Sequence, residues 1–349
     1  MPFPNGVPSL STMSRVLAAV DAEMVSLAII NWIGEISNTR GIHIAIDGKG
    51  LRAAAHKVRD ERTPYILNAI DTASGLVVAQ LPIQEKTNEA ATVPAIMDLI
   101  EMEGSIVTID AAGATERIME AVCGNGGDFV LQVKRNCPAL YDELMGLFNG
   151  PAKEKEADEK AFQDKYGDCY SEARTSEKNR ERYEYRECQS YSDAEGIRAL
   201  QEERPHTACV GRSKQVRILQ VQDSLGNDIT PSLRDFWEGG SRKQPKPATG
   251  ASLGDDIQMA GMISSRVLSA EGLMEYRRQH WAVETSLHYV LDEVFGEDKS
   301  TIRKGKNTIS VLRKCAYNIA RLLQMELLEG NTYRMSLMMS VMTWRLVSG

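Results

Sequence analysis

Two short apolar runs that each end on an aspartate constrain the fold of this chain more than any other feature of the sequence. Residues 42–49 read IHIAIDGK, so three isoleucines alternate with other residues before Asp47. This period of two is typical of a β-strand with one strongly apolar face. Residues 105–110 read SIVTID and repeat the design before Asp110. The sequence therefore predicts two buried strands that each deliver a carboxylate at their end.

These aspartates have both a structural and a chemical interpretation. Asp-Gly is a common turn pair, so Asp47 followed by Gly48 could do no more than open a turn. Alternatively, an ionised carboxylate is costly to bury without a partner, and a bound cation is one such partner. A third acidic residue favours the chemical interpretation. Glu284 lies in a proline-free helix predicted over residues 271–295, at the edge of an apolar arc with the helical period.

The periodicity of the first half predicts an α/β fold. The predicted strands are residues 42–47, 65–70, 76–83, 105–110 and 128–134, and the helices between them are residues 88–102 and 114–123. The resulting order, β-β-β-α-β-α-β, suits a ribonuclease H-like fold, in which a mixed five-stranded sheet is flanked by helices. Adjacent strands hold two carboxylates in that fold, so we expect Asp47 and Asp110 on neighbouring strands.

The domain organisation is predicted from changes in composition. A charge run begins shortly after Pro151, and alternating runs follow at residues 182–189 and 207–222, which predicts a β-rich insertion before the Glu284 helix. Asp21 is expected to cap the second of two N-terminal helices. The expected segments are an N-terminal helical segment at residues 1–41, the first part of the catalytic core at 42–150, the β-rich insertion at 151–259, and the C-terminal part of the core at 260–349.

Composition limits the class of protein further. The 349 residues carry a net charge of −7 with a sequence pI near 5.5, which argues against a generic basic nucleic-acid binder but says little about a local groove. No apolar run approaches the ~20 residues of a membrane span, and the N-terminus lacks the features of a signal peptide. We therefore expect a cytoplasmic protein with no membrane partner. Six cysteines without a C-x-x-C pair disfavour structural zinc.

Carboxylates from two strand ends and one helix match the requirements of two-metal phosphodiester chemistry. Two Mg²⁺ ions about 3.5–4 Å apart activate a water or a 3′-hydroxyl and stabilise the leaving oxygen in such sites. Magnesium prefers oxygen ligands and keeps several waters, so one or two carboxylates for each ion suffice. His280 and His288 flank Glu284 at i−4 and i+4, but H-x-x-x-E-x-x-x-H is not the spacing of a zinc protease. Magnesium is therefore favoured over zinc.

Several motifs resemble those of the DDE transposases of bacterial insertion sequences, specifically the H-repeat-associated (ISAs) family. The segments that carry the resemblance are PNGVPS at residues 4–9, IAIDGK at 44–49, EKTNE at 85–89, IVTIDA at 106–111, DFVLQVKRN at 128–136, RQHWAVETSLHYVLD at 278–292, FGED at 295–298 and LRKCAYN at 312–318. Each motif alone is modest, whereas their order and spacing together are highly specific. The resemblance covers most of the chain.

The resemblance implies a DDE triad of Asp47, Asp110 and Glu284 that binds two Mg²⁺ or Mn²⁺ ions. The implied reaction is DNA cleavage and strand transfer at the ends of the element. The implied partner is double-stranded DNA, at terminal inverted repeats and at the target, with a homo-oligomer as a further expectation. Candidate DNA-binding residues are Lys49, Arg52, Lys57, Asn88, Lys134 and Asn136. Candidate supporting residues around Glu284 are His280, Trp281 and His288.

Departures from the family pattern leave alternatives open. Gly50, Cys137 and Thr285 stand where the family usually has other residues, and relatives have a longer helical N-terminal region. Residues 1–41 are therefore expected to be a truncated version of that region. The alternatives to an active transposase are an inactive remnant that binds DNA or a full-length relative, and a ribonuclease H-like nuclease without strand transfer.

Overall fold

The computed structural model describes residues 6–50, 65–83, 89–110, 114–179, 182–219, 258–300 and 305–327. Contacts between residues divide the chain into two compact units. The first unit combines Met1–Phe129 with Tyr276–Gly349, and the second is Val130–Glu275. The predicted segment boundaries at residues 41, 150 and 259 differ from this division and stay predictions.

The helices and strands alternate much as predicted in the first half of the chain. In order, they are α1 (Leu10–Ala19), α2 (Ala22–Ile36), β1 (His43–Gly50), β2 (Tyr65–Asp71), β3 (Val77–Ile83), α3 (Glu89–Met97), β4 (Ile106–Ile109), α4 (Glu116–Gly124), β5 (Asp128–Val133), α5 (Pro138–Leu147), α6 (Asn149–Ala157), α7 (Glu159–Tyr166), β6 (Tyr170–Asn179), β7 (Arg182–Tyr191), α8 (Arg198–Glu203), β8 (Cys209–Leu219), β9 (Gln258–Ser264), α9 (Ala270–Val283), a π-helical turn (Glu284–His288), α10 (Tyr289–Glu293) and α11 (Lys306–Leu327). Each of the five strands predicted in the first half has a counterpart among β1–β5. The predicted cap at Asp21 is also confirmed, because its carboxylate accepts the backbone N–H groups of Glu23 and Met24.

The sheet of the first unit has the strand order β3-β2-β1-β4. β1 pairs antiparallel with β2 and parallel with β4, and Ile46 lies opposite Ile109 in the parallel pair. The prediction that the strands carrying Asp47 and Asp110 are neighbours is therefore confirmed. The predicted end of the first strand at Asp47 was wrong, because β1 continues to Gly50 through its pairing with β2. Because side chains alternate along a strand, Ile44 and Ile46 project to one face of the sheet, whereas Ala45 and Asp47 project to the other.

One buried cluster of the first unit is formed between the Ala45 face of the sheet and the C-terminal helices. Val283, Leu287 and Leu291 are nearly fully buried there, at a spacing of four residues that places them on one side of the helical segment. They pack in one cluster with Ala45 and Ile70 of the sheet. The same cluster contains Val77 of β3, Phe295, and Tyr317 and Ala320 of α11. The helical segment that carries Glu284 is thus held on the face to which Asp47 projects.

The sheet of the second unit corrects the predicted five-stranded architecture. Nine strands occur among the described residues, whereas five were predicted for the core sheet. β5, predicted as the last core strand, pairs antiparallel with β9, and the order continues as β8, β7 and β6. The strands expected as a separate insertion are therefore continuous with β5 through β9. The physical reason is that an edge strand exposes unpaired backbone groups, and β9 satisfies those of β5.

The predicted strands at residues 182–189 and 207–222 correspond to β7 and β8, so strand formation in this part of the chain is confirmed. Aromatic rings of α7, β6 and β7 pack together, and the ring centroid of Tyr170 lies 5.2 Å from that of Phe162 and 6.4 Å from that of Tyr191. No single helix within the described ranges is long and apolar enough to cross a membrane. Only the bent pair α1–α2, with an angle of 84° between its helices, meets that test by length and composition.

Candidate active site

Asp47 and Asp110 lie next to each other where the pairing of β1 with β4 ends. The parallel register aligns Ile46 with Ile109, so the next residues on each strand are Asp47 and Asp110. Neighbouring strands are about 4.8 Å apart, and residues in the same phase project to the same face. The side chain of Asp47 is 23% exposed, and Asp110 is also partly exposed. Two carboxylates are therefore presented together, partly exposed to solvent, where the pairing of these two interior strands ends.

Glu284 begins an irregular turn of the helical segment that packs over this face. The backbone N–H of Tyr289 donates to the carbonyl of Glu284, five residues earlier, which defines a π-helical turn. Val283 and Leu287, on either side of Glu284 in the chain, are buried against the sheet, whereas Glu284 itself is exposed. A π-helical turn within an α-helix is rare and often marks a functional site. Periodicity in the sequence predicted the helix but gave no signal for this turn.

His288 ends the π-helical turn and contacts the first aspartate. Its Nδ1 lies 3.5 Å from Oδ2 of Asp47. Burial and, to a lesser extent, the positive charges of Lys49 and Lys314 lower the pKa of His288 to about 3. The contact therefore joins a carboxylate to a neutral imidazole. Nε2 of the same ring is buried and has no hydrogen-bond partner in the part of the chain that the structure describes.

Lys49, predicted to contact DNA, forms an ion pair inside the first unit. Its Nζ lies 2.6 Å from Oδ2 of Asp292 in α10. The side chain of Lys49 is only 8% exposed, and that of Asp292 is 27% exposed. The charge of Lys49 is therefore neutralised within the fold, and its predicted role at DNA stays a prediction.

His280 belongs to a buried hydrogen-bond network that connects α9 with the sheet. Its Nδ1 lies 2.9 Å from the Thr108 hydroxyl of β4, and that hydroxyl lies 2.8 Å from Nε2 of His43 in β1. Nδ1 of His43 in turn lies 2.8 Å from Oε1 of Gln279. These contacts fix the helix directly before Glu284 against the two strands that carry the aspartates. A supporting role for His280 agrees with this position and stays a prediction.

A second buried charge cluster lies between α10 and α11. Lys314 is fully buried and donates to the Ser310 hydroxyl at 2.7 Å, while its Nζ lies 3.7 Å from Oε1 of Glu297. Ser310 also donates to Glu297. Desolvation lowers the pKa of Lys314, and the carboxylate of Glu297 partly opposes that effect. The sequence analysis assigned no role to Lys314, although its spacing from Val311 and Tyr317 places it on the buried stripe of its helix.

The remaining predicted residues belong to other parts of the chain. Lys134 and Asn136 lie in the second unit, after β5 and before α5. Trp281 is partly exposed near the end of α9. Arg52, Lys57 and Asn88 lie outside the described residues.

The donor set at the strand ends fits a hard divalent cation, because carboxylate oxygens are the ligands that Mg²⁺ prefers. Asp47 and Asp110 supply such oxygens side by side. Within the described ranges, however, no group of three or more histidine, cysteine, aspartate or glutamate side chains is close enough to hold one ion. The predicted triad therefore does not converge into a three-carboxylate cluster in this structure.

Comparison with known proteins relates this chain to transposases. The family model described as "Transposase DDE domain" matches residues 38–319. The Escherichia coli K12 protein named "H repeat-associated putative transposase YhhI" is 28% identical over 329 residues, which cover 91% of this chain and 74% of that protein. The protein named "Putative transposase YncI" from Escherichia coli O157:H7 is 27% identical over 335 residues, with coverage of 91% and 72%.

Among solved structures, a piggyBac transposase synaptic complex with hairpin DNA matches with a TM-score of 0.35 and 10% identity. That match covers 88% of this chain and 54% of the other. A likeness at this level is too weak to indicate a shared fold.

Proposed function

The chain belongs to the transposase DDE domain family, and on that premise we propose that it is the DDE transposase of a bacterial insertion sequence. The proposed reaction is Mg²⁺-dependent cleavage of DNA phosphodiester bonds at the ends of the element, followed by strand transfer. One observation carries the proposal. Asp47 in β1 and Asp110 directly after β4 lie at the same level of two adjacent parallel strands, and the helical segment with Glu284 packs over the face of the sheet to which Asp47 projects.

Asp47 and Asp110 are the residues proposed to bind the metal, and Glu284 is proposed to complete its ligands from the helix. When bound, the ions would lower the pKa of an attacking water or 3′-hydroxyl and stabilise the charge on the leaving oxygen. Neutral His288 contacts Asp47 without competing for its negative charge, so that carboxylate stays available as an anionic ligand. A ribonuclease H-like fold is part of the proposal, supported by the β3-β2-β1-β4 sheet with its parallel central pair.

Double-stranded DNA is the proposed partner, at the inverted repeats of the element and at the target. Phosphate contacts in such complexes come mainly from lysine, arginine and polar side chains. Arg52, Lys57, Asn88, Lys134 and Asn136 remain the proposed donors. Assembly as a homo-oligomer on DNA is part of the same proposal.

Cleavage of DNA that carries the flanks of the coding sequence tests the proposal. We expect wild-type protein to cut this DNA with Mg²⁺ and to lose cleavage in EDTA. Asp110→Ala should abolish cleavage but leave DNA binding intact, because the carboxylate is proposed to bind metal and not phosphate. Glu120→Ala removes an exposed carboxylate of α4 and is the matched control, with cleavage unchanged.

Equal cleavage by wild type and Asp110→Ala would overturn the assignment. Cleavage without joining of the new ends to target DNA would favour the nuclease alternative. DNA binding without cleavage by either protein would favour the inactive remnant, an alternative supported by the exposed position of Glu284 and the absence of a three-carboxylate cluster among the described residues.

A further inference from the structure

We propose that Lys49 and Asp292 are a positioning pair that fixes the Glu284 helix relative to Asp47, and that Lys49 is not a phosphate contact. This inference rests on the proposed function, because it assigns the pair a task at the proposed metal site. The pair connects β1 with α10 across 243 residues of sequence. The sequence did not predict this pair, because it indicated Lys49 only as a candidate DNA-binding residue.

Each partner lies on the same strand or helical segment as a proposed metal ligand. Lys49 follows Asp47 by two residues in β1, so the two side chains project to the same face of the sheet. Asp292 follows Glu284 by eight residues, on the helical segment that covers this face. The 2.6 Å contact between Nζ and Oδ2 therefore joins the strand of one proposed ligand to the helix of another.

A second contact acts in parallel with the first. His288 precedes Asp292 by four residues, so the two side chains lie on one side of the helical segment. His288 contacts Asp47, and Asp292 binds Lys49, which gives two successive links between the helix and β1. One link restrains the position of a helix along the strand, and two links also restrain its rotation. His288 and Asp292 follow Glu284 by four and eight residues, and His288 ends the π-helical turn that Glu284 begins.

The environment of Lys49 argues against a role as a phosphate contact. Its side chain is 8% exposed, whereas the surface pair Arg40–Glu101 has exposures of 54% and 74%. To contact DNA, Lys49 would have to leave Asp292 and leave that carboxylate unpaired in a partly buried site, which is unfavourable. Oδ1 of Asp292 is already buried and lacks a partner among the described residues. A neutralised pair also has little charge with which to displace counterions from DNA.

Cleavage kinetics and DNA binding of three variants distinguish a positioning role of Lys49 from a phosphate contact. The variants are Lys49→Met, Asp292→Asn and the charge swap that combines Lys49→Asp with Asp292→Lys. We expect Lys49→Met to lower kcat for cleavage about 10- to 100-fold, because a displacement near 1 Å has effects of that size. The Mg²⁺ concentration for half-maximal rate should rise about 10-fold or more, as when the residues that orient metal ligands are removed. The salt dependence of DNA binding should not change. Loss of stability alone would reduce the active fraction and leave the Mg²⁺ midpoint unchanged.

Hydrogen exchange supplies a measurement that does not depend on activity. Amides of residues 284–293 should exchange faster in Lys49→Met and Asp292→Asn than in wild type. The charge swap should recover part of the protection and part of kcat. Lys49→Arg keeps the positive charge and should retain the wild-type protection of these amides from exchange. It provides a folded comparison if Lys49→Met does not fold. Arg40→Met breaks the exposed pair and is the matched control, with no change in exchange at residues 284–293.

A salt dependence that becomes shallower by about 0.9 in log–log slope in Lys49→Met would identify a phosphate contact and overturn the proposal. Unchanged exchange and an unchanged Mg²⁺ midpoint in both single variants would also overturn it. If wild type does not cleave but Lys49→Met still accelerates exchange at residues 284–293, the proposed function fails while the positioning pair is retained. The two failures are therefore distinguishable.

Discussion

Acid should destabilise the first unit through a single histidine. His288 is 14% exposed, and burial lowers its pKa to about 3 in the folded chain, whereas an unfolded chain has a histidine pKa near 6.5. Between these values the unfolded chain binds a proton that the folded chain does not. The contribution to stability is therefore full above pH 6.5 and is lost progressively as the pH falls toward 3.

The expected size of this effect follows from proton linkage. Lowering the pH from 7 to 5 should cost about 2 kcal/mol of unfolding free energy through one group with an unfolded pKa near 6.5 and a folded pKa far below 5. His288→Gln removes the titrating ring, so the loss between the two pH values should shrink by about 2 kcal/mol in this variant. Other groups that titrate in the same interval contribute equally to both proteins and cancel in the comparison.

Urea unfolding of dilute protein in EDTA measures the unfolding free energy of wild type and His288→Gln at pH 7.0 and at pH 5.0. Trp32 and Trp281 lie in the same unit as His288, so tryptophan fluorescence reports its unfolding. His206→Gln, at an exposed position of the second unit, is the matched control for removal of an imidazole. The same pH sensitivity in wild type and His288→Gln would refute the reasoning, because a buried neutral imidazole requires a difference between them.

Three further predictions concern stability. Asp47→Asn removes one of two like charges on adjacent strands, so without metal it should raise the unfolding free energy by up to about 1 kcal/mol. The variant should also lose the rise in melting temperature that Mg²⁺ gives the wild type. A melting temperature of the variant that still rises with Mg²⁺ would contradict this prediction. Leu287→Ala should cost about 2–5 kcal/mol in urea unfolding because the side chain is fully buried, whereas Leu312→Ala, at a position 40% exposed, should cost much less. Lys314→Met should lower the unfolding free energy by about 3–5 kcal/mol because it leaves the buried carboxylate of Glu297 without its cation. The double variant with Glu297→Leu should recover most of that loss. If the losses of the two single variants add in the double variant, the pair is not coupled.

The sequence predicted the parts of the fold that depend on local periodicity. The alternation before Asp47 and Asp110 located β1 and β4, and the repeated design correctly indicated neighbouring strands. The helical period around Glu284 located the helix and its buried side. These predictions succeed because burial of one face imposes a period on the sequence itself.

Features that depend on partners distant in the chain could not be predicted in this way. Neither Lys49 nor Asp292 shows in its local pattern that the other residue exists, since charged side chains usually lie in solvent. The continuity of β5 with β9 likewise depends on hydrogen bonds between backbone groups, which carry no side-chain signature. Exposure of Glu284 at a π-helical turn reflects the registration of the helix on the sheet and not the propensity of any residue.

The π-helical turn also determines how the chain tolerates changes in length. A turn of this kind contains one residue more than the α-helical turn that it replaces. Deletion of one residue between Glu284 and Leu287 would restore an α-helical turn, and the segments on either side would keep nearly the same rotation relative to each other. The burial of Val283 and the contact of His288 with β1 would then both be retained. A deletion elsewhere in α9 or α10 would instead rotate the segment before it by about 100° relative to the segment after it. The π-helical turn is thus the one place in this helical segment where a residue can be removed without changing which side chains face the sheet, whereas the surface loops of the same unit can change length at little cost.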